Sequence, residues 1–308
     1  MPETLSSWND TATRAVITDF VARVSAEDSA DYVPEPERIA VFDNDGTLWP
    51  EKPMPVEVGF LLQRMAQLAE RDPSLRQRQP FSAAYEKDYA WLGSAITEHY
   101  QGDDTKVHAL IGGVLQAFAG WTVEKYQDAA RDFLYTQQHP TLRRPYSEIG
   151  YRPMCELLSY LTEHGFTTYI ASGGDRDFMR MVTAHMYGVP PERVIGSSTG
   201  LRYQQGSIVY QAEMDIFDDG PVKPVRIWAR TGVRPLIAGG NANGDIEMLE
   251  FAAPPGRTAL ALVVSHDDPD RDVAYNAGSE RLQLQASEQQ WTTISIQHDW
   301  STVFAPAH

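Results

Sequence analysis

The hydrophobic and polar positions of this chain change their period along its length. Apolar residues recur at helical spacing over residues 8–25, which predicts a helix packed on a core. A short apolar run at 40–42 then predicts a buried strand. Over 56–138 the apolar positions keep helical spacing, and no strand-like alternation interrupts them. The first half of the chain is therefore predicted to form one strand followed by a long helical segment.

From residue 151 onward, helical periods alternate with short apolar runs. This alternation is typical of a sheet of parallel strands connected by helices. Two of the runs, at 201–203 and 208–210, flank a Gln-Gln-Gly turn and predict a hairpin. The other predicted strands lie at 167–171, 194–196, 236–238, 260–264 and 293–296.

Composition and charge limit the class of protein. A chain of 308 residues with 42% hydrophobic residues can bury a large core, as one domain or as a core with an insertion. No apolar stretch approaches the roughly 20 residues that span a bilayer, so we expect no membrane partner. The net charge of −16 argues against nucleic acid as the main partner. A small anionic substrate remains compatible, because local cations and a metal ion can dominate the field inside a cleft.

The single cysteine, Cys155, excludes an intramolecular disulfide. Residues 1–10 lack the basic and apolar regions of a secretory signal. Both features favour a cytoplasmic protein, because thiols stay reduced in that compartment.

The apolar run at 40–42 leads directly into Asp43-Asn44-Asp45-Gly46-Thr47. Open α/β sheets bind ligands at the carboxyl ends of their strands. At such an end the chain curls, so that a carboxylate and a backbone carbonyl can converge on one cation. A solvated Asp-Asn-Asp-Gly turn is the alternative for an isolated motif. The apolar strand that precedes the motif, and the Thr47-Leu48 pair with which it ends, favour a reactive site.

The apolar strand at 167–171 runs into Ser172, Gly173 and Gly174. A helix is predicted to follow at 175–187, which would place these three residues at its N-terminus. Free backbone N–H groups there, together with a hydroxyl, form an anion site, and glycine lets the backbone approach a ligand closely. An ordinary serine N-cap is the structural alternative, and the two roles are compatible.

A lysine and an acidic loop complete the set of candidate groups. Lys223 is the only lysine after Lys125, and it stands eighteen positions before Asn241. The strand predicted at 236–238 ends in a loop rich in Asn and Gly that contains Asn241 and Asp245. Such loops also occur for turn geometry alone.

These four segments, in this order, resemble the motifs of the haloacid dehalogenase superfamily, most of whose members are magnesium-dependent phosphatases. Asp43, Asp45, Gly46 and Thr47 match its Asp-x-Asp-Gly-Thr motif, and the Ser-Gly-Gly segment is similar to that of phosphoserine-phosphatase-type members. Asn241 departs from the pattern, because an aspartate often stands at that position in the superfamily.

The resemblance implies a doubly wound, Rossmann-like α/β core with a parallel sheet, formed by residues 1–50 and 145–308. It also implies an all-helical cap domain, 51–144, which is inserted after the first core strand and closes over the substrate.

The resemblance also implies a role for each site residue. Asp43 would be the nucleophile that forms an aspartyl-phosphate, and Asp45 the general acid–base. Lys223 would neutralise phosphoryl charge, with Arg226 as the alternative cation. The implied phosphate-binding residues are Thr47, Ser172, Gly173 and Gly174. The implied ligands of Mg²⁺ are Asp43, Asp45 through its carbonyl, Asn241 and Asp245; the last would bind directly, through water, or orient the lysine.

We therefore expect a magnesium-dependent phosphatase that acts on a small phosphorylated molecule. Three alternatives remain open: a haloacid dehalogenase, a phosphomutase of the same superfamily, and a non-catalytic binding protein that keeps the fold. The sequence leaves the substrate and the oligomeric state undetermined. Arg176 and Arg180 are expected to be surface or helix salt-bridge residues, and His266 a structural loop histidine.

Overall fold

The computed structural model describes residues 5–100, 103 and 105–306. Within these residues the chain forms a seven-stranded sheet. Its strands are β1 (Ile39–Phe42), β2 (Thr167–Asp175), β3 (Val194–Gln204), β4 (Ser207–Ile216), β5 (Ile237–Gly240), β6 (Leu260–Ser265) and β7 (Thr292–Ser295). They lie in the order β4-β3-β2-β1-β5-β6-β7, and each neighbouring pair is parallel except β3 and β4. The predicted α/β class is confirmed.

Helices make up most of the remaining regular structure. They are α1 (Ala12–Ser25), α2 (Val56–Arg71), α3 (Phe81–Glu86), α4 (Tyr89–Tyr100), α5 (Thr105–Phe118), α6 (Val123–Thr136), α7 (Arg152–Glu163), α8 (Arg176–Met179), α9 (Thr183–Tyr187), α10 (Val222–Thr231), α11 (Ile246–Ala252), α12 (Glu280–Gln289) and α13 (Ile296–Asp299). In the described part of the chain, none of the helices has the length and apolar character needed to cross a membrane.

Strand β1 is buried along its whole length, as expected for a strand in the middle of a parallel sheet. Ala40 and Phe42 pack into a hydrophobic cluster that includes residues of α1 and α7. Ile39 and Val41 point to the opposite face of the sheet, into a cluster that includes residues of α10, α11 and α12. Helices on both faces make the core doubly wound. The carboxyl end of β1 lies between those of β2 and β5.

The chain divides into two compact units. The first consists of Met1–Pro53, Leu134–Ser197 and Phe217–His308, and the second of Met54–Phe133 and Ser198–Ile216. The parallel strands belong to the first unit, whereas the antiparallel β3–β4 ladder belongs to the second.

The predicted hairpin is confirmed. Tyr203 pairs with Ile208 across the antiparallel ladder of β3 and β4. The turn residues Gln205 and Gly206 have φ values of +48° and +91°, the left-handed conformation that a tight hairpin turn requires.

The second unit contains other secondary-structure elements besides the all-helical segment expected at 51–144. The insert between β1 and β2 does form helices α2 to α6, but the hairpin joins them. The Tyr210 ring of β4 lies 5.0 Å from the Tyr126 ring of α6, and the Tyr210 carbonyl accepts the Gly120 N–H at 2.9 Å. These contacts join segments far apart in the sequence, so the local pattern does not reveal them. That this unit acts as a cap over the substrate stays a prediction.

Candidate active site

The segment after β1 forms a tight turn that is closed by its own backbone. The Asn44 carbonyl accepts the N–H groups of Thr47 at 3.2 Å, Leu48 at 2.8 Å and Trp49 at 3.3 Å. In the opposite direction, the Gly46 N–H donates to the Trp49 carbonyl at 2.8 Å. Gly46 has a φ of +76°, which glycine adopts without strain. The sequence therefore specifies this turn locally.

The loop after β5 packs directly on this turn through Asn241. Thr47 Oγ1 donates to Asn241 Oδ1 at 3.0 Å, and both residues are buried. A Cβ added to Gly46 would lie 2.1 Å from Asn241 Nδ2, so no side chain fits at position 46. Thr47 thus joins the two loops. Its predicted role in binding phosphate stays a prediction. In this structure the Thr47 hydroxyl proton is used in the bond to Asn241.

Lys223 lies between two of the predicted acidic residues. Its Nζ donates to Asp43 Oδ1 at 2.8 Å and to Asp245 Oδ1 at 2.6 Å. The lysine side chain is 2% exposed. Asp43 directly follows β1 and its N–H donates to the Gly239 carbonyl of β5 at 2.9 Å, which sets it beside the loop that carries Asp245. The structure therefore brings Asp43 together with Lys223, 180 positions later in the sequence, and with Asp245.

Both oxygens of the Asp245 carboxylate are engaged by the protein. Oδ1 accepts from Lys223, while Oδ2 accepts the backbone N–H groups of Asn241 at 2.9 Å and Ala242 at 3.0 Å. A short 3₁₀ turn at Asn243–Asp245 folds the carboxylate back over its own loop. Of the three roles expected for Asp245, this geometry matches the orientation of the lysine.

The three charges in this cluster do not balance. Burial raises the pKa of Asp43 well above its usual value, and the negative charge of Asp245 raises it further, while Lys223 offsets part of the rise. Burial lowers the pKa of Lys223, but Asp245 and Asp43 outweigh that effect and raise it overall. With both carboxylates ionised, two negative charges face one ammonium in a buried site. The arrangement therefore favours an additional cation.

Asp45 is held separately from the lysine. The Trp49 indole Nε1–H donates to Asp45 Oδ1 at 2.9 Å. Burial raises the pKa of Asp45 from 3.8 to about 7; the Trp49 bond opposes this shift, and the charge of Glu51 adds to it. A carboxyl group with a pKa near neutrality suits a general acid.

The oxygen donors around the turn fit a Mg²⁺ site whose ligands carry little negative charge. Among the described residues, no group of three or more His, Cys, Asp or Glu side chains could hold a metal ion. The remaining donors are the Asp43 carboxylate, the Asp45 carbonyl, which receives no backbone N–H from the described residues, and the amide of Asn241. Mg²⁺ accepts such hard oxygen ligands and keeps several waters.

The Asn241 amide has room for this role. Its Nδ2 is buried and has no hydrogen-bond partner in the described part of the chain. Rotating the amide by half a turn would keep the bond with Thr47, because a hydroxyl both donates and accepts. The rotation would place Oδ1 against Gly46, next to the Asp45 peptide.

Ser172 is not at a helix N-terminus, so that part of the expectation is wrong. Strand β2 continues through Gly173 and Gly174 to Asp175, and the region predicted as one helix forms the two short helices α8 and α9. The Asp175 side chain caps α8. Extension of β2 is stabilised by β3, where Ser197 Oγ donates to the Gly173 carbonyl at 2.7 Å.

The position of Ser172 in the sheet still places it near the nucleophile candidate. Ile170 pairs with Phe42 in the parallel ladder, so Ser172 lies at the same end of the sheet as Asp43. Its Oγ is buried and accepts the Gly174 N–H at 3.2 Å. Phosphate binding by Ser172, Gly173 and Gly174 stays a prediction.

Two arginines near this segment form ion pairs within their own region. Arg176 Nε lies 3.0 Å and Arg180 Nη1 lies 2.8 Å from Asp177 Oδ1. Both therefore serve as the salt-bridge residues that the sequence indicated. Arg226, the alternative to Lys223, carries an Nε that has no hydrogen-bond partner among the described residues.

His266, for which the sequence favoured a structural loop role over a place at the border of the cleft, contacts the turn after β1. Its Nε2 lies 2.8 Å from the carbonyl oxygen of Gly46, and the residue is buried. The available signal was its position directly after β6, because the carboxyl ends of parallel strands meet at one edge of a sheet.

Solved structures share this fold at low sequence identity. A conserved, functionally unknown protein from Anaerococcus prevotii DSM 20548 aligns over 99% of this chain and 99% of its own, with 15% identity and a TM-score of 0.59. A protein with unknown function from Bordetella pertussis Tohama I aligns over 84% of this chain and 98% of its own, with 15% identity and a TM-score of 0.52. At this level of identity the two similarities show the fold alone.

A HAD family hydrolase from Salmonella enterica subsp. enterica serovar Typhi aligns over 87% of this chain and 71% of its own, with 15% identity. Its TM-score of 0.46 is too low to support an argument about this chain. No protein-family model and no curated protein sequence matches the chain.

Proposed function

We propose that this chain, whose fold is that of the haloacid dehalogenase superfamily, is a magnesium-dependent phosphatase that hydrolyses a small phosphomonoester through an aspartyl-phosphate. The observation that carries the proposal is the buried ammonium of Lys223 between Asp43 and Asp245, at 2.8 and 2.6 Å. Phosphoryl transfer depends on positioning a nucleophile and on surrounding the phosphoryl group with positive charge. A nucleophilic carboxylate in contact with a fixed cation meets both needs.

In the proposed reaction, Asp43 and Asp45 act in turn. A carboxylate oxygen of Asp43 attacks phosphorus, the bond to the ester oxygen breaks, and the electron pair leaves with that oxygen. Asp45 protonates the leaving alkoxide, so an alcohol departs. Asp45 then takes a proton from water as the water oxygen attacks phosphorus, and the bond to Asp43 breaks. Alcohol and inorganic phosphate are released, and both aspartates regain their starting protonation states.

The other residues of the site fix these two aspartates. Trp49 holds Asp45 through its indole N–H, and Asp245 holds Lys223. The Lys223 ammonium remains charged, because the two carboxylates raise its pKa, so it can neutralise a phosphoryl oxygen. Ser172 would donate its hydroxyl proton to another phosphoryl oxygen.

Asp43, the carbonyl of Asp45 and the side-chain oxygen of Asn241 would hold Mg²⁺. The ion would supply the positive charge that lets an anionic phosphate approach an anionic carboxylate. Asp245 would act through Lys223 and its own loop. In this proposal, Asn241 contributes no charge, which leaves the Asp43 carboxylate as the one anionic ligand.

A panel of substrates separates this function from its alternatives. Purified protein is incubated with small phosphomonoesters, among them a sugar 1-phosphate, and with 2-haloalkanoates, each in Mg²⁺ and in excess chelator. We expect inorganic phosphate from one or more phosphomonoesters, only with Mg²⁺, and none from the Asp43→Asn variant. Halide release without metal would instead indicate a dehalogenase, and transfer of phosphate within the sugar would indicate a phosphomutase. Absence of all three reactions would overturn the catalytic proposal and favour a binding protein.

A further inference from the structure

His266 contacts the turn that follows β1 through a single backbone group, the carbonyl of Gly46. The residue directly follows β6, and its Nε2 lies 2.8 Å from the carbonyl oxygen of Gly46. A carbonyl oxygen only accepts hydrogen bonds, so Nε2 carries the proton and donates it. Gly46 separates Asp45 from Thr47 in the sequence. The histidine therefore holds the Gly46–Thr47 peptide, which begins one residue after the proposed acid–base residue.

The imidazole ring is itself held in place by buried neighbours. His266 Nδ1 lies 3.2 Å from Asp272 Oδ2, and the Tyr151 hydroxyl donates to the same oxygen at 2.9 Å. The Tyr275 ring stacks on the imidazole with a centroid distance of 4.3 Å and an interplanar angle of 20°. The side chains of His266 and Asp272 are 3% and 7% exposed. In this arrangement the ring is held with Nε2 directed at the Gly46 carbonyl.

Gly46 is the residue of the turn that most needs such a restraint. It has no side chain, and its φ of +76° lies where glycine moves freely. Its N–H is bound by the Trp49 carbonyl at 2.8 Å, so the bond from His266 restrains the other polar group of the same residue. With both groups bound, the peptide on each side of Gly46 is restrained, and Asp45 lies at the start of the first.

We propose that His266 is a positioning residue for the reaction: its hydrogen bond to the Gly46 carbonyl fixes the turn so that Asp45 meets the leaving group. This inference rests on the proposed phosphatase function. It assigns to Asp272 and Tyr151 the task of orienting the imidazole. Small displacements of a catalytic group cost on the order of 10²-fold in rate, so the effect of losing this bond is measurable.

Two substitutions at position 266 separate the hydrogen bond from packing. His266→Phe keeps a flat ring against Tyr275 but removes the donor, whereas His266→Gln supplies an amide N–H that can reach Gly46. His164→Phe is a matched control, because His164 also bonds a backbone carbonyl, that of Tyr160 at 2.8 Å, and packs on a tyrosine ring.

We expect His266→Phe to lower kcat on an alkyl phosphate by on the order of 10²-fold, with little change in KM. The loss should be smaller on p-nitrophenyl phosphate, whose leaving group needs no proton. His266→Gln should recover part of the activity, and His164→Phe should retain it. In an Asp45→Asn background, His266→Phe should cause little further loss, because the group that it positions is already absent.

Equal losses on both substrates, or independent losses in the double variant, would show a structural role and overturn the inference. A second measurement tests the hydrogen bond itself and does not depend on the proposed phosphatase activity. In ¹⁵N- and ¹³C-labelled wild-type protein, NMR should detect scalar coupling between the His266 Nε2–H group and the Gly46 carbonyl carbon. Loss of phosphatase activity in the wild type would refute the proposed function and the positioning role together. Absence of the coupling in an active enzyme would refute the positioning role alone.

Discussion

The Lys223 ammonium lies 2.6 Å from Asp245 Oδ1, closer than its 2.8 Å contact with Asp43. The acidic residue of the loop after β5 is thus paired with the lysine, and its second oxygen accepts two N–H groups of its own loop. This pairing divides the work of the site. Asp245 binds the Lys223 ammonium, and the neutral Asn241 is the side chain of that loop that lies against Gly46.

Removing the ammonium should both destabilise and inactivate the protein. Lys223→Met leaves Asp43 and Asp245 buried without a counter-charge, so we expect the free energy of unfolding to fall by about 3–5 kcal/mol. Urea unfolding in the presence of chelator measures this loss. The double variant Lys223→Met/Asp245→Asn should regain much of the stability while remaining inactive. If the double variant is as unstable as the single one, the cost arises from packing and not from the unpaired charge.

Replacing Asp43, the proposed nucleophile, should abolish turnover and leave the fold intact. An amide at position 43 cannot accept the phosphoryl group, so Asp43→Asn should lower kcat by on the order of 10⁴-fold or more. The unfolding free energy should stay the same or rise, because the substitution reduces the repulsion between two buried carboxylates. Near-normal turnover in a preparation shown by mass spectrometry to be free of deamidation would exclude an aspartyl-phosphate. Beryllium fluoride bound to Asp43 in a crystal would support it directly.

Replacing Asp45, the proposed general acid, should slow the reaction most for substrates with poor leaving groups. Asp45→Asn keeps an oxygen that can accept the Trp49 indole N–H but carries no transferable proton. We expect losses of about 10²- to 10⁴-fold on an alkyl phosphate and a distinctly smaller loss on p-nitrophenyl phosphate. Steady-state kinetics on the two substrates tests this. The same loss on both would show that Asp45 is not the proton donor.

Adding a charge at position 241 should tighten the binding of Mg²⁺. Asn241→Asp supplies a second anionic ligand while retaining an oxygen that can accept from Thr47, and we expect an affinity about tenfold higher. Asn243→Asp is the matched control. It adds the same charge to the same loop, but Asn243 Oδ1 accepts the N–H groups of Arg281 and Leu282 at 3.0 Å.

Isothermal titration calorimetry of both variants decides the assignment. Equal tightening in both would indicate a general effect of charge and not a ligand at position 241. No change in Asn241→Asp, combined with complete loss of binding in Asp245→Ala, would transfer the ligand role to Asp245. Full activity of the metal-free enzyme would exclude the proposal of a magnesium-dependent phosphatase and favour the dehalogenase alternative.

We expect the ionisation of Asp218 to make the protein less stable as the pH rises. The residue is fully buried, and neither carboxylate oxygen has a hydrogen-bond partner among the described residues. Burial raises its pKa from 3.8 to about 6, although Lys223 and Arg226 oppose the shift. The folded state therefore holds this proton more tightly than the unfolded state. The resulting stability is fully present below the unfolded pKa of 3.8 and is lost as the pH rises through about 6.

Replacing this carboxyl group should stabilise the protein at neutral and alkaline pH. Asp218→Asn removes the ionisation, so the unfolding free energy at about pH 8 should rise by up to about 3 kcal/mol. The advantage should disappear below about pH 4. Asp268→Asn is a control for which we expect the opposite dependence of stability on pH. Burial raises the pKa of the Asp268 carboxylate, but hydrogen bonds from Arg271 outweigh burial and lower it overall. A gain from Asp218→Asn that is independent of pH would contradict the assignment.

The local sequence determined the elements and the residues that could react. The period of apolar positions predicted the parallel sheet and the helical insert, because one side-chain pattern repeats within each element. Asp43 and Asp45 were identified because a strand end and a glycine turn are both local features. Lys223 followed from the scarcity of lysines after Lys125 and from the superfamily resemblance.

Only the tertiary structure decided which of these groups meet. The parallel register of β1, β2, β5 and β6 joins the loop after β1 to loops more than a hundred residues later, and no local pattern encodes that register. It placed Asn241 against Gly46 and brought His266 to the carbonyl of the same glycine, while the packing of α10 paired Lys223 with Asp245. Pairing with β3 likewise kept Ser172 in a strand where the sequence predicted a helix start. The physical reason is that the partner of a polar side chain depends on burial and distance in the folded chain, whereas sequence spacing reports only its neighbours along the chain.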